Sequence, residues 1–192
     1  QFKNEGKMKT IISSTLFSLS MLTAATASAS DGTINFEGSV NGESCNIDIS
    51  QGFVTDNGNP NGLVVLPTIG LSALPSEGYK AGNTTFNFAL TDCTPDIEVR
   101  PYFESNNVST STGYLLNTVS ELNGGSTGID LEILNNDNEY IDLRSNPEAT
   151  NKFVNVGSNG VLIMHYNVQY TAGVNPTAGD ISSALTYTLQ YK

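Results

Sequence analysis

Alternation of apolar and polar residues with a period of two recurs along this chain and restricts it to an all-β fold. Phe86, Phe88 and Leu90 alternate within residues 84–93. Ile129, Leu131 and Ile133 alternate with Asp130 and Glu132. Leu162, Met164, Tyr166, Val168 and Tyr170 share one face of residues 161–170, the longest such run. In the final segment, 184–192, Leu185, Tyr187, Leu189 and Tyr191 share one side, and the alternation reaches the last residue. This spacing is that of half-buried strands. Further strands are predicted at 33–40, around Cys45, Ile47 and Ile49, at 63–66, and at 97–103, where Pro101 marks an edge or a bulge. The Asn135–Asn138 run predicts a turn into a hairpin strand over 140–143. Residues 56–62 hold two Asn-Gly pairs and read as a turn cluster. The polar stretch 106–112 reads as a mobile loop and 173–183 as a connecting loop. Short strands, Asn-Gly turns and no helical period beyond the N-terminal leader argue a β-sandwich in one domain. A soluble domain seldom stops inside its core sheet unless another strand covers that edge. What covers the last strand is therefore a question about function.

The other end reads as an export leader. Met8-Lys9 precedes an apolar run holding Ile11, Ile12, Leu16, Phe17, Leu19, Met21 and Leu22. Small residues follow, and two Ala-x-Ala sites predict cleavage after Ala27 or after Ala29. The run is shorter than the ~20 residues that a membrane-spanning helix needs. Residues 1–7, ahead of the plausible start methionine, are expected to be an upstream extension outside the protein proper. The expected division is thus 1–7, a signal peptide over 8–29, an N-terminal extension over 30–41, and a domain over 42–192.

Past the leader, five Lys and Arg (Lys80, Arg100, Arg144, Lys152, Lys192) face eighteen acidic residues, a net charge near −13. Such a chain repels nucleic acid and anionic membrane surfaces. Its two cysteines, Cys45 and Cys93, are expected to form one disulfide in an exported protein. Closing a loop of that length is worth about 4 kcal/mol on the chain-entropy argument, less any native strain. A metal pair or a catalytic thiol would require histidine partners and a spacing that these cysteines lack.

Three stretches together resemble the type 1-like fimbrial pilins of the chaperone–usher family. Gly32-Thr33-Ile34-Asn35-Phe36-Glu37-Gly38, followed by Cys45, is similar to the start of such a pilin. Phe86-Asn87-Phe88-Ala89-Leu90-Thr91-Asp92-Cys93 resembles its second cysteine strand. Tyr187-Thr188-Leu189-Gln190-Tyr191-Lys192 carries the penultimate tyrosine typical of these subunits. The leader before Gly32 is shorter than the family pattern, which makes the cleavage site matter.

The resemblance implies an incomplete immunoglobulin-like β-sandwich that lacks its last strand, completed by a donor strand from another subunit. It implies a periplasmic chaperone that fills the groove first, an outer-membrane usher, identical or related fimbrial subunits as partners, and a place in the fimbrium at the bacterial cell surface. No cofactor is expected. Carried onto this chain, the donor strand spans about 30–41. Ile34, Phe36 and Val40 are its anchors, and Gly32 and Gly38 fall where the groove is shallow. Burial of the three anchors contributes about 5–9 kcal/mol before ordering costs. Read without the resemblance, the same segment fits equally an ordinary first strand paired within its own chain. Leu185, Tyr187, Leu189, Tyr191 and Lys192 are the expected acceptor-groove and chaperone-contact residues, with part of the inward face of 161–170 as groove floor.

Catalysis finds little support. The single histidine, His165, lies opposite Met164 and Tyr166 on its strand and is expected to be exposed, away from any nucleophile. Asp130 and Glu132 share a strand face as paired glycosidase carboxylates do, yet in a chain this acidic they read as a solvated face. Residues 135–139 are oxygen-rich but lack the glycine and late glutamate of a calcium loop, and read as a turn. Two Asn-x-Ser/Thr sequons, at Asn83 and Asn107, read as chance in a bacterial export context. The expected function is a non-enzymatic, polymerising shaft subunit. A minor or adaptor subunit is the nearest competitor, and a free-standing secreted β-sandwich that binds sugar or protein is the rival from another class.

Overall fold

A computed structural model describes Gly42, residues 45–51 and residues 61–192. The chain divides into two units, 1–40 and 41–192, and every described residue belongs to the second. The predicted strand at 33–40, the signal peptide and most of the 56–62 turn cluster lie outside the described residues.

Among the described residues, seven strands appear in chain order: β1 (Asn46–Gln51), β2 (Lys80–Thr91), β3 (Glu98–Glu104), β4 (Ile129–Leu134), β5 (Val154–Asn155), β6 (Leu162–Ala172) and β7 (Thr186–Tyr191). They form two antiparallel sheets, ordered β1-β2-β6-β4 and β5-β3-β7. The described residues contain no α-helix; short 3-10 turns stand at Leu71–Ala73 and Glu121–Asn123. Period-two alternation sends Phe86, Phe88 and Leu90 of β2, Met164, Tyr166 and Val168 of β6, and Leu131 and Ile133 of β4 into one core. Val99 and Phe103 of β3 meet them from the other sheet. An edge-on aromatic contact joins the layers, Phe103 to Tyr166 at 5.3 Å between ring centres, and another, Phe88 to Tyr166 at 5.6 Å, lies within the four-stranded sheet, a favoured geometry for such pairs. A disulfide joins Cys45 to Cys93 and ties the entry of β1 to the exit of β2.

β2 is longer than the alternation predicted, because Lys80 and Ala81 also pair with β6, across a register shift between Ala81 and Thr84. Gly82 stands at that shift with φ +71°, and a Cβ there would lie 2.7 Å from the Tyr170 ring. Only glycine combines that backbone with that approach. Residues 63–66, predicted as a strand, join neither sheet. They keep the in-out alternation, with Val64 and Leu66 half-buried and Leu63 and Val65 exposed. The 140–143 strand reduces to a single bridge, Leu134 to Tyr140, although the turn before it forms. Within that turn the Asn135 side chain accepts the Asp137 and Glu139 N–H groups at 2.9 and 2.8 Å. The stretch 106–112 is a tied loop, closed by a Val108–Leu115 bridge and by Arg144 donating to the Thr110 and Ser111 carbonyls.

β3 accounts for Pro101. One side of β3 pairs with β7 along its length, while β5 covers the other side at Glu98 and Val99 alone. Beyond β5, two buried asparagines replace a strand. Asn146 accepts from the Phe103 N–H and donates to its carbonyl, both at 2.9 Å, and Asn151 donates to the Pro101 carbonyl at 2.7 Å. A proline fits this stretch because its missing N–H faces a side where no backbone ladder runs.

Two polar residues differ from expectation. Glu132 is 1% exposed, not solvated. It receives the Lys80 amine at 2.7 Å, the Gln169 amide at 2.6 Å and the Thr171 hydroxyl at 3.5 Å, so one carboxylate links β4, β6 and β2. His165 is half-buried and hydrogen-bonded to Asn87, its direct cross-strand partner, rather than exposed. In both cases neighbouring strands supply polar partners that the residue's own strand does not reveal.

Tyr166 carries a pH expectation. Burial pushes its phenol above the ordinary 10.0. An unfolded phenol ionises near 10, so the stabilisation of the neutral, buried form is intact below that pH and fades above it. Alkaline titration followed by absorbance and circular dichroism should show Tyr166 ionising together with unfolding. A buried phenol that titrates near pH 10 in a chain that stays folded would contradict this.

Candidate functional site

The sandwich is open along one side. β1 ends the four-stranded sheet and β7 ends the three-stranded sheet, and no described strand pairs with their outer edges. Between them runs an apolar groove of about 850 Å³. One wall is β7 and the residue before it: Leu185, Tyr187, Leu189 and Tyr191 all line the groove. Ile47 and Ile49 of β1 form the opposite wall, extended by Val64 and Leu66. The floor comes from Phe86 and Phe88 of β2, Leu131 and Ile133 of β4, Val168 of β6, and Leu115. Tyr187 stands edge-on to Phe88 at 4.8 Å, which joins wall to floor. Burial raises the Tyr187 phenol pKa, consistent with a ring set against apolar neighbours.

Of the predicted acceptor residues, four lie together on this wall, while Lys192 lies outside it. Its backbone continues the ladder, pairing with Glu98 in both directions at 2.9 and 3.2 Å. Its amine stands 3.8 Å from Glu148 and 4.0 Å from Glu98, and 5.5 Å from the Phe153 ring centre. The predicted donor residues Gly32, Ile34, Phe36, Gly38 and Val40 lie outside the described residues. Of the inward residues on β6, Val168 belongs to the groove lining. Sequence reasoning did not name the β1, β2 and β4 residues of the groove. Their alternation marks them as inward, but which inward residues face the open side depends on how the sheets stack.

Chemically, the groove offers apolar side-chain pockets beside strand edges. That combination suits an extended segment that hydrogen-bonds through its backbone and inserts alternate apolar side chains. The family model described as "Fimbrial protein" matches residues 34–192. The chain belongs to the fimbrial protein family. It is 33% identical over 178 residues to the "Major fimbrial subunit SMF-1" of Stenotrophomonas maltophilia, covering 89% of this chain and 99% of that one. It is also 33% identical over 186 residues to the "F17 fimbrial protein" of Escherichia coli, covering 92% and 97%. Among solved structures, the P pilus rod subunit PapA superposes with a TM-score of 0.51 at 15% identity, over 77% of this chain and 99% of that one. A subunit from a chaperone–usher pilus structure concerned with rod uncoiling superposes with the same score and identity, over 88% and 100%. These two likenesses show the fold: the two-layered, all-β sandwich of pilins.

Proposed function

We propose that this chain is a structural shaft subunit of a chaperone–usher fimbria, polymerising by donor-strand exchange and carrying out no enzymatic reaction. The observation that supports it most directly is the apolar groove between two sheet edges in a member of the fimbrial protein family. In this reading residues 30–41 of one copy lie in the groove of another, with Ile34, Phe36 and Val40 inward and Gly32 and Gly38 at the shallow positions. Leu185, Tyr187, Leu189 and Tyr191 receive them. A periplasmic chaperone occupies the same groove before assembly, an outer-membrane usher passes the subunit on, and the product is a surface filament of like subunits. The name of the Stenotrophomonas relative, a major subunit, favours the shaft over a minor or adaptor position.

Two full-length variants test the reading. Ile34→Asp with Phe36→Asp removes the donor anchors, and Leu189→Asp places a charge in the acceptor wall. Each alone should fail to form filaments by electron microscopy, since burying a carboxylate without a partner is strongly unfavourable. Mixed, they should give dimers and no longer species, because the mixture holds one intact donor and one intact acceptor. Filaments from either variant alone would refute donor-strand polymerisation.

A further inference from the structure

β7 has β3 as its strand neighbour on one side and the groove on the other. Its inward residues are Tyr187, Leu189 and Tyr191, and Leu185 just before the strand continues the alternation. Sliding β7 by two residues along β3 keeps every apolar side chain inward but exchanges each Leu with a Tyr. The apolar pattern by itself therefore does not tell these two registers apart, and a contact on the outer face can.

Arg100 makes that contact. It lies directly across from Gln190, and its Nε donates to Gln190 Oε1 at 2.9 Å. The same guanidinium donates through Nη1 to the carbonyls of Asn151 at 3.0 Å and Asn146 at 3.4 Å, and lies 4.6 Å from the Phe153 ring centre. Asn146 and Asn151 are themselves bonded to β3 through their side chains. The fork is thus fixed on the β3 side and engages β7 at one residue. A two-residue slip would set either Thr188, whose hydroxyl is too short to reach, or Lys192, a like charge, opposite the guanidinium. We propose that Arg100, acting through Gln190, is a positioning residue that fixes the β3–β7 register and thereby the order of Leu and Tyr that the groove presents to its donor strand. This rests on the donor-strand reading above.

The test uses the full chain carrying Ile34→Asp and Phe36→Asp, which supplies no donor of its own. Its probes are two synthetic peptides of residues 30–41, one native and one with Ile34 and Phe36 exchanged. With Arg100 and Gln190 intact, the native peptide should bind about tenfold tighter than the exchanged one, because each anchor meets its matched pocket. In Gln190→Leu and in Arg100→Met that preference should shrink to about twofold or less, while Gln190→Glu, which restores an acceptor, should retain it. Gln190 is on the outer face, so Gln190→Leu leaves the core intact. Cross-strand nuclear Overhauser contacts between Phe103 and Tyr187, opposite each other here, should weaken in the Gln190→Leu chain and persist in Gln190→Glu. A preference unchanged in both Gln190→Leu and Arg100→Met overturns the role of Arg100. Failure of the native peptide to bind the chain with Arg100 and Gln190 intact would instead overturn the donor-strand reading.

Discussion

Adding a peptide of residues 30–41 to the oxidised domain 42–192 is expected to raise its melting temperature by about 10–20 °C. The three anchors contribute about 5–9 kcal/mol on burial, and ordering the peptide and immobilising its side chains takes back part of this. A net gain of about 4–6 kcal/mol shifts the midpoint by 2–4 °C per kcal/mol for a domain of this size. Without peptide, Ile47, Ile49, Tyr187 and Leu189 leave an apolar surface beside two unpaired sheet edges. That is the combination that drives edge-to-edge aggregation, so the bare domain should be poorly stable and prone to associate. Differential scanning calorimetry and light scattering, with and without peptide, decide the matter. A domain that stays monomeric, compact and hyperstable alone, and that ignores the peptide, contradicts the polymer reading.

Replacing Glu132 by leucine is expected to destabilise the domain by about 2–4 kcal/mol, because it strands buried neutral donors at about 1–3 kcal/mol each. The carboxylate is 1% exposed and holds donors from β2 and β6 against β4. Its loss leaves the Thr171 hydroxyl and the Gln169 amide without their acceptor. Lys80 is 42% exposed and can turn to water when Glu132 is gone, whereas Lys80→Met leaves the buried carboxylate without its counter-charge and should be the more damaging change, about 3–5 kcal/mol. Denaturant unfolding of the peptide-filled domain would measure both. A loss below about 1 kcal/mol for Glu132→Leu would mean that the network is neutral to stability.

Glu132 also shows how far the residues could be read directly. Its strand was legible, since Ile129, Leu131 and Ile133 alternate, and the outward side of Glu132 followed from the same period. Its burial was not legible: Lys80 lies 52 positions away and reaches it across β6. His165 behaves alike, with Asn87 as a partner 78 positions away. The 63–66 segment was misread in a different way. It has the apolar content of a strand but joins neither sheet, because alternation specifies faces and not partners. Pro101 was read correctly as an edge signal, yet the side chains of Asn146 and Asn151 that complete that edge carry no mark in the sequence.

For the groove, the wall was readable and the rest was not. Leu185, Tyr187, Leu189 and Tyr191 announce themselves because one strand's period is a local property, fixed by backbone geometry that sends successive side chains to opposite faces. Local chemistry likewise determined the all-β class, the Cys45–Cys93 bridge and most strand positions. Which inward residues become floor and how β1 and β7 come to flank one opening were decided by the packing of two sheets, and the register of β7 by its pairing with β3. Those relations join residues far apart in the chain, and their energies exist only once the layers meet.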